Sequence, residues 1–280
     1  MPIPSLREIG TNLELHSEGW WTSEALSDVS YPEDGNVFCF MVEESSFWFR
    51  HRNHCILEAI RQFPPDGALF DVGGGNGFVA RALQESGFEV VLVEPGLAGV
   101  RNAIKRGILH VVRSTLEDAG VSQETIPAVG LFDVIEHVPD DVEFLSRTRR
   151  LVVPGGRLYI TVPAYSWLWS HADHVAGHFR RYDLARLTRV IEKAGFAVEF
   201  ATYIFSFLPI PMFFRRVLPH RLGLAIKGSP EKVCLSEHEV SDPVAKRVLT
   251  AWTQWELSKI AKGRSLRVGG SCLVVARRGQ

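Results

Sequence analysis

The stretch from Leu69 to Leu83 constrains the fold more than any other part of the chain. It reads LFDVGGGNGFVARAL, with an apolar lead into Asp71, glycines at 73, 74, 75 and 77, and a helix-like run after them. This order predicts a strand, a tight turn and a helix start, so that a ligand can lie against bare backbone at the positive end of the helix. The pattern D-x-G-x-G-x-G is not the G-x-G-x-x-G of dinucleotide-binding proteins, because Phe78 stands at the third glycine position.

Strand-like and helix-like runs alternate beyond this loop. The predicted strands are 68–72, 89–93, 111–112, 128–135, 157–162, 197–205 and 271–277, and the predicted helices between them are 78–86, 98–106, 141–151 and 184–194. This spacing predicts an α/β protein with a doubly wound sheet that is mainly parallel.

Two segments do not follow this alternation, and they divide the chain into three predicted parts. Residues 1–63 form an aromatic N-terminal cap segment, helical from about Glu44 to Phe63, which the sequence PPDG at 64–67 separates from the core. Residues 64–205 and 270–280 form the core. Residues 206–269 form an insert that covers part of the substrate pocket, with a helix from Pro243 to Ile260.

Composition excludes several classes of protein. The formal net charge of −1 gives no basic field, so no nucleic-acid partner is predicted. No signal peptide is evident, and the uncharged run 200–214 is too short to span a bilayer and is broken by Pro209 and Pro211. The four cysteines form no C-x-x-C pair and are expected to be reduced thiols of a cytoplasmic protein: Cys39, Cys55, Cys234 and Cys272.

Glu94 follows the second predicted strand, 17 residues after Gly77. A carboxylate at the tip of this strand can accept hydrogen bonds from both hydroxyls of a ribose. The simpler interpretation is a solvated loop acid, but the glycine loop upstream favours adenosine binding.

With these residues together, the chain resembles the class I S-adenosylmethionine-dependent methyltransferases. The resemblance covers about 65–200 and the strand at 271–278. The blocks that carry it come in the family's order: 71–77 (DVGGGNG), 93–94 (VE), 114–118 (STLED), 132–139 (FDVIEHVP) and 151–158 (LVVPGGRL). It implies a Rossmann-like, doubly wound, seven-stranded mixed sheet whose last strand is antiparallel, with a mainly helical cap, and S-adenosylmethionine as the cofactor.

The resemblance also implies the cofactor-binding residues. Asp71, Gly73, Gly75 and Gly77 would hold the methionine end, and Glu94 with Pro95 would hold the ribose. Thr115, Leu116 and Glu117 would border the adenine, although Ser114 or Thr115 stands where the family often has an acid. Ile135, Glu136 and His137 would line the cavity near the sulfonium.

The block at 132–139 admits a second interpretation. In ubiquinone-pathway O-methyltransferases a related acid-x-x-Glu-His pattern can bind a divalent cation, and Asp133, Glu136 and His137 match those positions. Many relatives with Glu-His-Val use no metal. Three ligands in one loop also need further partners to complete a shell, so no metal is assigned.

The segment 163–182 follows the fifth predicted strand, at the edge where open α/β sheets bind ligands. Similar Asp…His…Arg-Arg-Tyr loops occur in methyltransferases found beside sugar and lipid-carrier biosynthesis. A histidine suits the removal of a proton from an acceptor hydroxyl. His178 is the first candidate base, followed by His174 and His171, with Asp173 orienting one of them.

The same segment supplies the candidate substrate residues. Arg180 or Arg181 could hold an acidic substrate group, and Tyr165, Trp169 and Tyr182 are further candidates for substrate contact. Alternatively, the Arg-Arg-Tyr end only anchors the helix that begins after Asp183.

The predicted activity is methyl transfer to a small-molecule acceptor by in-line displacement, most simply onto the oxygen of a hydroxyl or carboxylate. Residues 205–214 could form an apolar lip for a lipid-linked or aromatic substrate. Two alternatives are kept: a nicotinamide-dependent oxidoreductase and a non-catalytic module that binds S-adenosylmethionine. The sequence predicts no oligomeric state.

Overall fold

The computed structural model describes residues 9–27, 39–223 and 242–280, and these residues build one nine-stranded sheet. The strand order across the sheet is β1-β2-β5-β4-β3-β6-β7-β9-β8. The strands are β1 (Leu13–Leu15), β2 (Trp21–Ser23), β3 (Leu69–Val72), β4 (Val90–Val93), β5 (Val111–Arg113), β6 (Ile126–Phe132), β7 (Val152–Pro163), β8 (Phe196–Ile204) and β9 (Ser271–Arg278).

The predicted fold class is confirmed, and all seven predicted strands are present. Neighbouring strands from β2 to β7 pair in parallel. The last strand, β9, pairs antiparallel with both β7 and β8, as the resemblance implied.

The strand count is nine rather than seven, because a short antiparallel hairpin of β1 and β2 extends one edge of the sheet. Trp21 of β2 lies opposite Val112 of β5 in parallel register. Each of these strands has only three residues, too few for a clear alternation of apolar and polar side chains in the sequence.

Helices pack on both sides of the sheet or lie over its edge. They are α1 (Phe47–Gln62), α2 (Phe78–Glu85), α3 (Leu97–Lys105), α4 (Asp141–Leu151), α5 (His171–Val175), α6 (Leu184–Lys193), α7 (Pro209–Met212), α8 (Leu218–Arg221) and α9 (Pro243–Ile260). A π-helical turn, Phe213–Val217, joins α7 to α8.

Side chains of successive strand residues enter two hydrophobic cores, one on each face of the sheet. In β4, Val91 and Val93 belong to one core, and Val90 and Leu92 belong to the other. All four are buried, which explains the continuous apolar run that a central parallel strand shows.

β6 ends three residues earlier than the sequence predicts. Asp133 adopts a left-handed backbone conformation with φ of 60°, and Ile135–His137 forms a 3-10 turn. The apolar run continues to Ile135 because that side chain is buried in the core, not because the strand continues. This turn places Glu136 and His137 at the carboxyl edge of the sheet.

Two other sequence expectations concern the whole chain. Cys39, Cys55 and Cys272 are free thiols, whereas Cys234 lies outside the described residues. Among the described residues, no helix is both long and apolar enough to cross a membrane.

Candidate active site

The glycine loop between β3 and α2 has the conformation that its composition predicts. Gly73, Gly75 and Gly77 have φ of 69°, 52° and 74°, a region that side-chain-bearing residues rarely adopt. A Cβ at Gly74 would lie 2.7 Å from Oδ2 of Asp71. Glycine at these positions therefore leaves bare backbone beside the buried end of β3.

Asp71 lies at the base of this loop and is almost completely buried. Neither of its carboxylate oxygens accepts a well-formed hydrogen bond from the described residues. Burial, with the nearby Glu94 carboxylate, raises the pKa of Asp71 to about 7, although the Arg52 guanidinium opposes this shift. A cationic ligand group would therefore stabilise the ionised form of the Asp71 carboxyl group.

Glu94 follows β4 and faces the same loop. Its Oε2 accepts the amide N–H of Gly75 at 2.9 Å, and its Oε1 accepts that of Gly96 at 2.8 Å. These two bonds fix the Glu94 carboxylate beside the glycine loop. Next to it, Thr115 and Leu116 follow β5, where Ser114 is buried and shares a 2.7 Å hydrogen bond with Ser23 of β2.

On the other side of the β3 carboxyl end lie a buried acid and two histidines. Glu136 is fully buried, and neither of its oxygens has a hydrogen-bond partner among the described residues. Burial and the neighbouring Asp133 carboxylate raise the pKa of Glu136 well above its usual value. Burial and the nearby His178 lower the pKa of His137 to about 4, so the imidazole of His137 is neutral at pH 7.

His178 is held by an aspartate that an arginine fixes in turn. Nδ1 of His178 lies 2.9 Å from Oδ1 of Asp173, and Arg181 donates to both oxygens of that carboxylate, at 2.6 and 3.1 Å. Burial opposes ionisation of Asp173, but the hydrogen bonds from His178 and Arg181 hold its pKa well below the usual value. An ionised carboxylate only accepts, so Nδ1 of His178 donates its proton to Asp173.

The acids and histidines described above line one cavity of about 1740 Å³ at the carboxyl ends of the strands. Its far wall is apolar and comes from the N-terminal helix and the insert, with Phe47, Trp48, Phe207 and Trp252 among its lining residues. A ligand can therefore lie between the polar glycine-loop end and an aromatic wall.

The profile of the methyltransferase domain family matches residues 48–200, more than half of the chain. The chain belongs to this family. It is a class I S-adenosylmethionine-dependent methyltransferase, and S-adenosylmethionine is its cofactor. This assignment replaces the nicotinamide-dependent and non-catalytic alternatives.

Several curated relatives of this methyltransferase are methyltransferases by name. A Mycolicibacterium smegmatis protein named as a probable S-adenosylmethionine-dependent methyltransferase is 26% identical over 227 residues, which is 79% of this chain and 80% of the relative. The ubiquinone biosynthesis O-methyltransferase of Aliivibrio fischeri MJ11 is 31% identical over 99 residues, 33% of this chain and 42% of the relative. The corresponding protein of Mesorhizobium japonicum is 23% identical over 64% of this chain and 65% of its own length.

Solved structures show the same fold at low identity. A chain from the complex of the Haloferax volcanii Trm112 methyltransferase activator with a methyltransferase has a TM-score of 0.57 and 17% identity, covering 89% of this chain and 96% of that chain. Phosphoethanolamine N-methyltransferase 2 of Haemonchus contortus, solved with S-adenosyl-L-methionine, has a TM-score of 0.54 and 19% identity, covering 89% of this chain and 58% of that chain.

The residues of the cavity fit S-adenosylmethionine. Its methionine end carries an ammonium group, and Asp71 offers a buried carboxyl group without a well-formed hydrogen bond. Its ribose carries two hydroxyls, and Glu94 offers a carboxylate that two backbone amides fix beside the glycine loop. These two acids are complementary to the ammonium group and the ribose hydroxyls of the cofactor.

Thirteen of the residues predicted from the sequence line this cavity. They are Asp71, Gly73, Gly75, Glu94, Pro95, Thr115, Leu116, Glu117, Glu136, His137, Asp173, His178 and Arg181. Their individual roles stay predictions, since lining a cavity does not establish a contact.

The other predicted residues lie outside the lining. Gly77 is the left-handed residue before α2, and Ile135 is buried in the core. The imidazole of His174 accepts from the Trp169 indole at 2.9 Å, and the ring of His171 lies beside that of His220. The ring of Tyr165 stacks on that of Tyr203.

Tyr182 and Arg180 support the alternative in which the Arg-Arg-Tyr end anchors its surroundings. Tyr182 is fully buried and donates its hydroxyl to Asp141 at 2.8 Å, and Arg180 pairs with the same carboxylate at 3.0 Å. Both contacts fix the 163–182 segment to the start of α4. Arg181 lines the cavity, but its guanidinium is bonded to Asp173 and to the carbonyl of Ala164.

Arg52 of α1 is a cavity residue that was not predicted from the sequence. This side chain lines the cavity, forms an ion pair with Asp133, and packs its guanidinium against the rings of Trp48 and Phe49 at 4.9 and 5.4 Å. The sequence signal for this site was the polar run His51-Arg52-Asn53 within the apolar pattern of the helix. All three residues are buried, which is unusual for polar side chains.

Proposed function

We propose that this methyltransferase transfers the methyl group of S-adenosylmethionine to a hydroxyl oxygen of an apolar, aromatic small molecule, with His178 as the general base. The single observation that carries the proposal is the hydrogen-bonded row Arg181–Asp173–His178 at the cavity wall. A histidine fixed through Nδ1 by an ionised carboxylate presents Nε2 as a proton acceptor.

The proton balance follows from this geometry. S-adenosylmethionine supplies an electrophilic methyl group on a sulfonium sulfur. The acceptor oxygen would take this methyl group as the carbon–sulfur bond breaks, and the hydroxyl proton would pass to Nε2 of His178. Asp173 stabilises the imidazolium that forms, and Arg181 keeps Asp173 ionised and in place.

The nature of the cavity wall supports an aromatic acceptor. Phe47, Trp48, Phe207 and Trp252 offer ring faces and edges to a ligand. The names of the ubiquinone biosynthesis relatives, which are O-methyltransferases, agree with methylation on oxygen. A cavity of about 1740 Å³ has room for an acceptor beside the cofactor.

At the cofactor end, we assign the ammonium group to Asp71 and the carboxylate of the methionine part to Arg52. Arg52 of α1 and Asp71 both line the cavity, and the Arg52 guanidinium opposes the rise in the pKa of Asp71. A guanidinium suits a carboxylate because its donors are arranged as a planar fork.

The test is the variant His178→Ala, assayed by S-adenosylhomocysteine formation with a panel of phenolic acceptors. For a hydroxyl acceptor we expect kcat to fall on the order of a hundredfold or more, with cofactor affinity unchanged in calorimetry. His171→Ala is the matched control and should retain activity, because His171 lies outside the cavity lining.

Two outcomes would contradict the base assignment. A carboxylate acceptor needs no base, so full activity in His178→Ala would indicate that acceptor class instead. A metal is the other alternative, since ligand atoms of Glu136, His137 and His178 lie within 4.8 Å of one another. Activity lost on treatment with EDTA and restored by Mg²⁺ would assign these residues to a cation.

A further inference from the structure

The cavity is bordered by an exposed rim that differs in chemistry from the rest of the surface. We use the word rim for Pro209–Met212, Phe213–Val217 and Leu218–Arg221 together with the exposed face of α9. The apolar rim residues include Ile210, Phe214 and Val244, which are 70%, 61% and 68% exposed. The segments that carry these exposed side chains also contribute residues to the cavity lining, so the apolar surface lies at the cavity mouth.

The exposed apolar residues of α9 form a stripe along one side of the helix. Val244, Val248, Trp252 and Trp255 are spaced by four, four and three positions, so they share one helix face. All four are exposed, and the first three also line the cavity. The stripe therefore runs from the outer surface into the cavity mouth.

The charged residues of the rim segments are mostly basic. Its two helical segments carry six basic residues, Arg215, Arg216, Arg221, Lys246, Arg247 and Lys259, and one acid, Glu256. Glu256 is fully buried and accepts hydrogen bonds from His51 and from the amide of Phe205. Since the whole chain has a formal net charge of −1, this basic surface is local.

We propose that the rim docks on the surface of an anionic phospholipid bilayer, and that the acceptor enters the cavity from that surface as an amphiphile. Tryptophan and phenylalanine beside arginine and lysine are the combination that lies at a membrane interface, with rings among the lipid chains and cations at the headgroups. This inference rests on the proposed function only for the acceptor, because docking itself requires no methyl transfer.

Part of the cavity wall is formed by residues of the rim. Arg215 and Arg216 line the cavity, as do Met212 and Val248, so the residues that would face lipid continue into residues that would face the acceptor. An acceptor with an aromatic head and an apolar tail can reach the cavity through this mouth without exposing its tail to water.

Vesicle flotation tests docking with the full chain. We expect the protein to float with vesicles of phosphatidylcholine and phosphatidylglycerol, but not with phosphatidylcholine alone, and to dissociate at high salt. The double variant Ile210→Ser/Phe214→Ser should reduce the partition coefficient at least tenfold. Neither residue lines the cavity, so cofactor binding should be unchanged in calorimetry.

Leu109→Ser is the matched control, because Leu109 is 73% exposed but lies outside the rim. Equal binding to both vesicle types, unchanged binding of the double variant, or no binding at all would overturn the docking proposal. If the protein binds anionic vesicles but methylates no hydroxyl acceptor, the proposed function fails and docking stands.

Discussion

The ionisation of Asp71 should report on whether the cofactor is bound. Its carboxyl group is buried without a well-formed hydrogen bond, and its pKa of about 7 lies above the ordinary 3.8. Because the folded-state pKa is raised, its contribution to stability is greatest below pH 3.8 and is lost as the pH rises through about 7. A bound ammonium group would reverse this shift.

We therefore expect cofactor binding at pH 6.5 to release roughly half a proton to one proton, because Asp71 ionises against the ammonium group. Calorimetry of S-adenosylmethionine binding in buffers of different ionisation enthalpy measures this number. Asp71→Asn should abolish the release. If the wild-type protein gives equal apparent enthalpies in all buffers, Asp71 does not meet the ammonium group.

Cavity residues that come at or just after the end of a strand were predictable from the sequence. Asp71, Glu94 and Glu136 come at or just after the ends of β3, β4 and β6, so the parallel sheet alone brings them to one edge. Arg52 was not predicted, because it pairs with Asp133 across 81 positions. The polar run 51–53 marks this part of α1, but the contact itself depends on how α1 packs over the sheet.

The buried carboxylate of Glu256 joins helices α1 and α9, which both cover the site. Glu256 of α9 accepts from Nε2 of His51 in α1 at 2.8 Å and from the amides of Phe205 and Ser206 after β8. Burial opposes its ionisation, but the hydrogen bonds from His51 and Ser206 lower the pKa of Glu256. One side chain thus connects α1, α9 and the end of β8.

Glu256→Ala should lower the free energy of unfolding by about 3 kcal/mol, because it leaves buried donors without an acceptor. Urea unfolding followed by circular dichroism measures this loss. Glu58→Ala, which removes an acid paired with Arg61 at the surface, should change the free energy by less than about 0.5 kcal/mol. Equal losses in the two variants would contradict the role of Glu256.

Most elements were predictable because the long helices have periodic patterns and the core strands are apolar runs that alternate with helices. The predicted helices at 141–151 and 243–260 match α4 and α9 residue for residue, and the predicted strands match β3, β4 and β9 within one residue. The hairpin β1–β2 and the helix α5 were missed, because they are short and lie outside the alternation that identified the equally short β5.

We expect the cofactor to stabilise the whole fold, because residues of β3, β4 and α1 together line its site. At a concentration of a hundred times Kd, S-adenosylmethionine adds about 2.7 kcal/mol. We expect Tm to rise by roughly 5–10 °C in differential scanning fluorimetry. NADH should give no shift.

The variant Arg52→Ala should lose a large part of this stabilisation, because Arg52 is assigned to the carboxylate of the methionine part. Arg50→Ala is the matched control, since Arg50 is an exposed arginine of the same helix. A full shift in Arg52→Ala would remove Arg52 from the cofactor site.

The place of β9 in the sheet has a consequence for synthesis. β9 lies between β7 and β8 and pairs with both, although it follows β8 by more than sixty residues along the chain. During translation, β8 therefore leaves the ribosome before the strand that connects it to the sheet has been made. Until then β7 and β8 have open edges. The nascent protein must keep those edges from pairing wrongly, and a shortened chain that lacks β9 loses the place of β8 in the sheet.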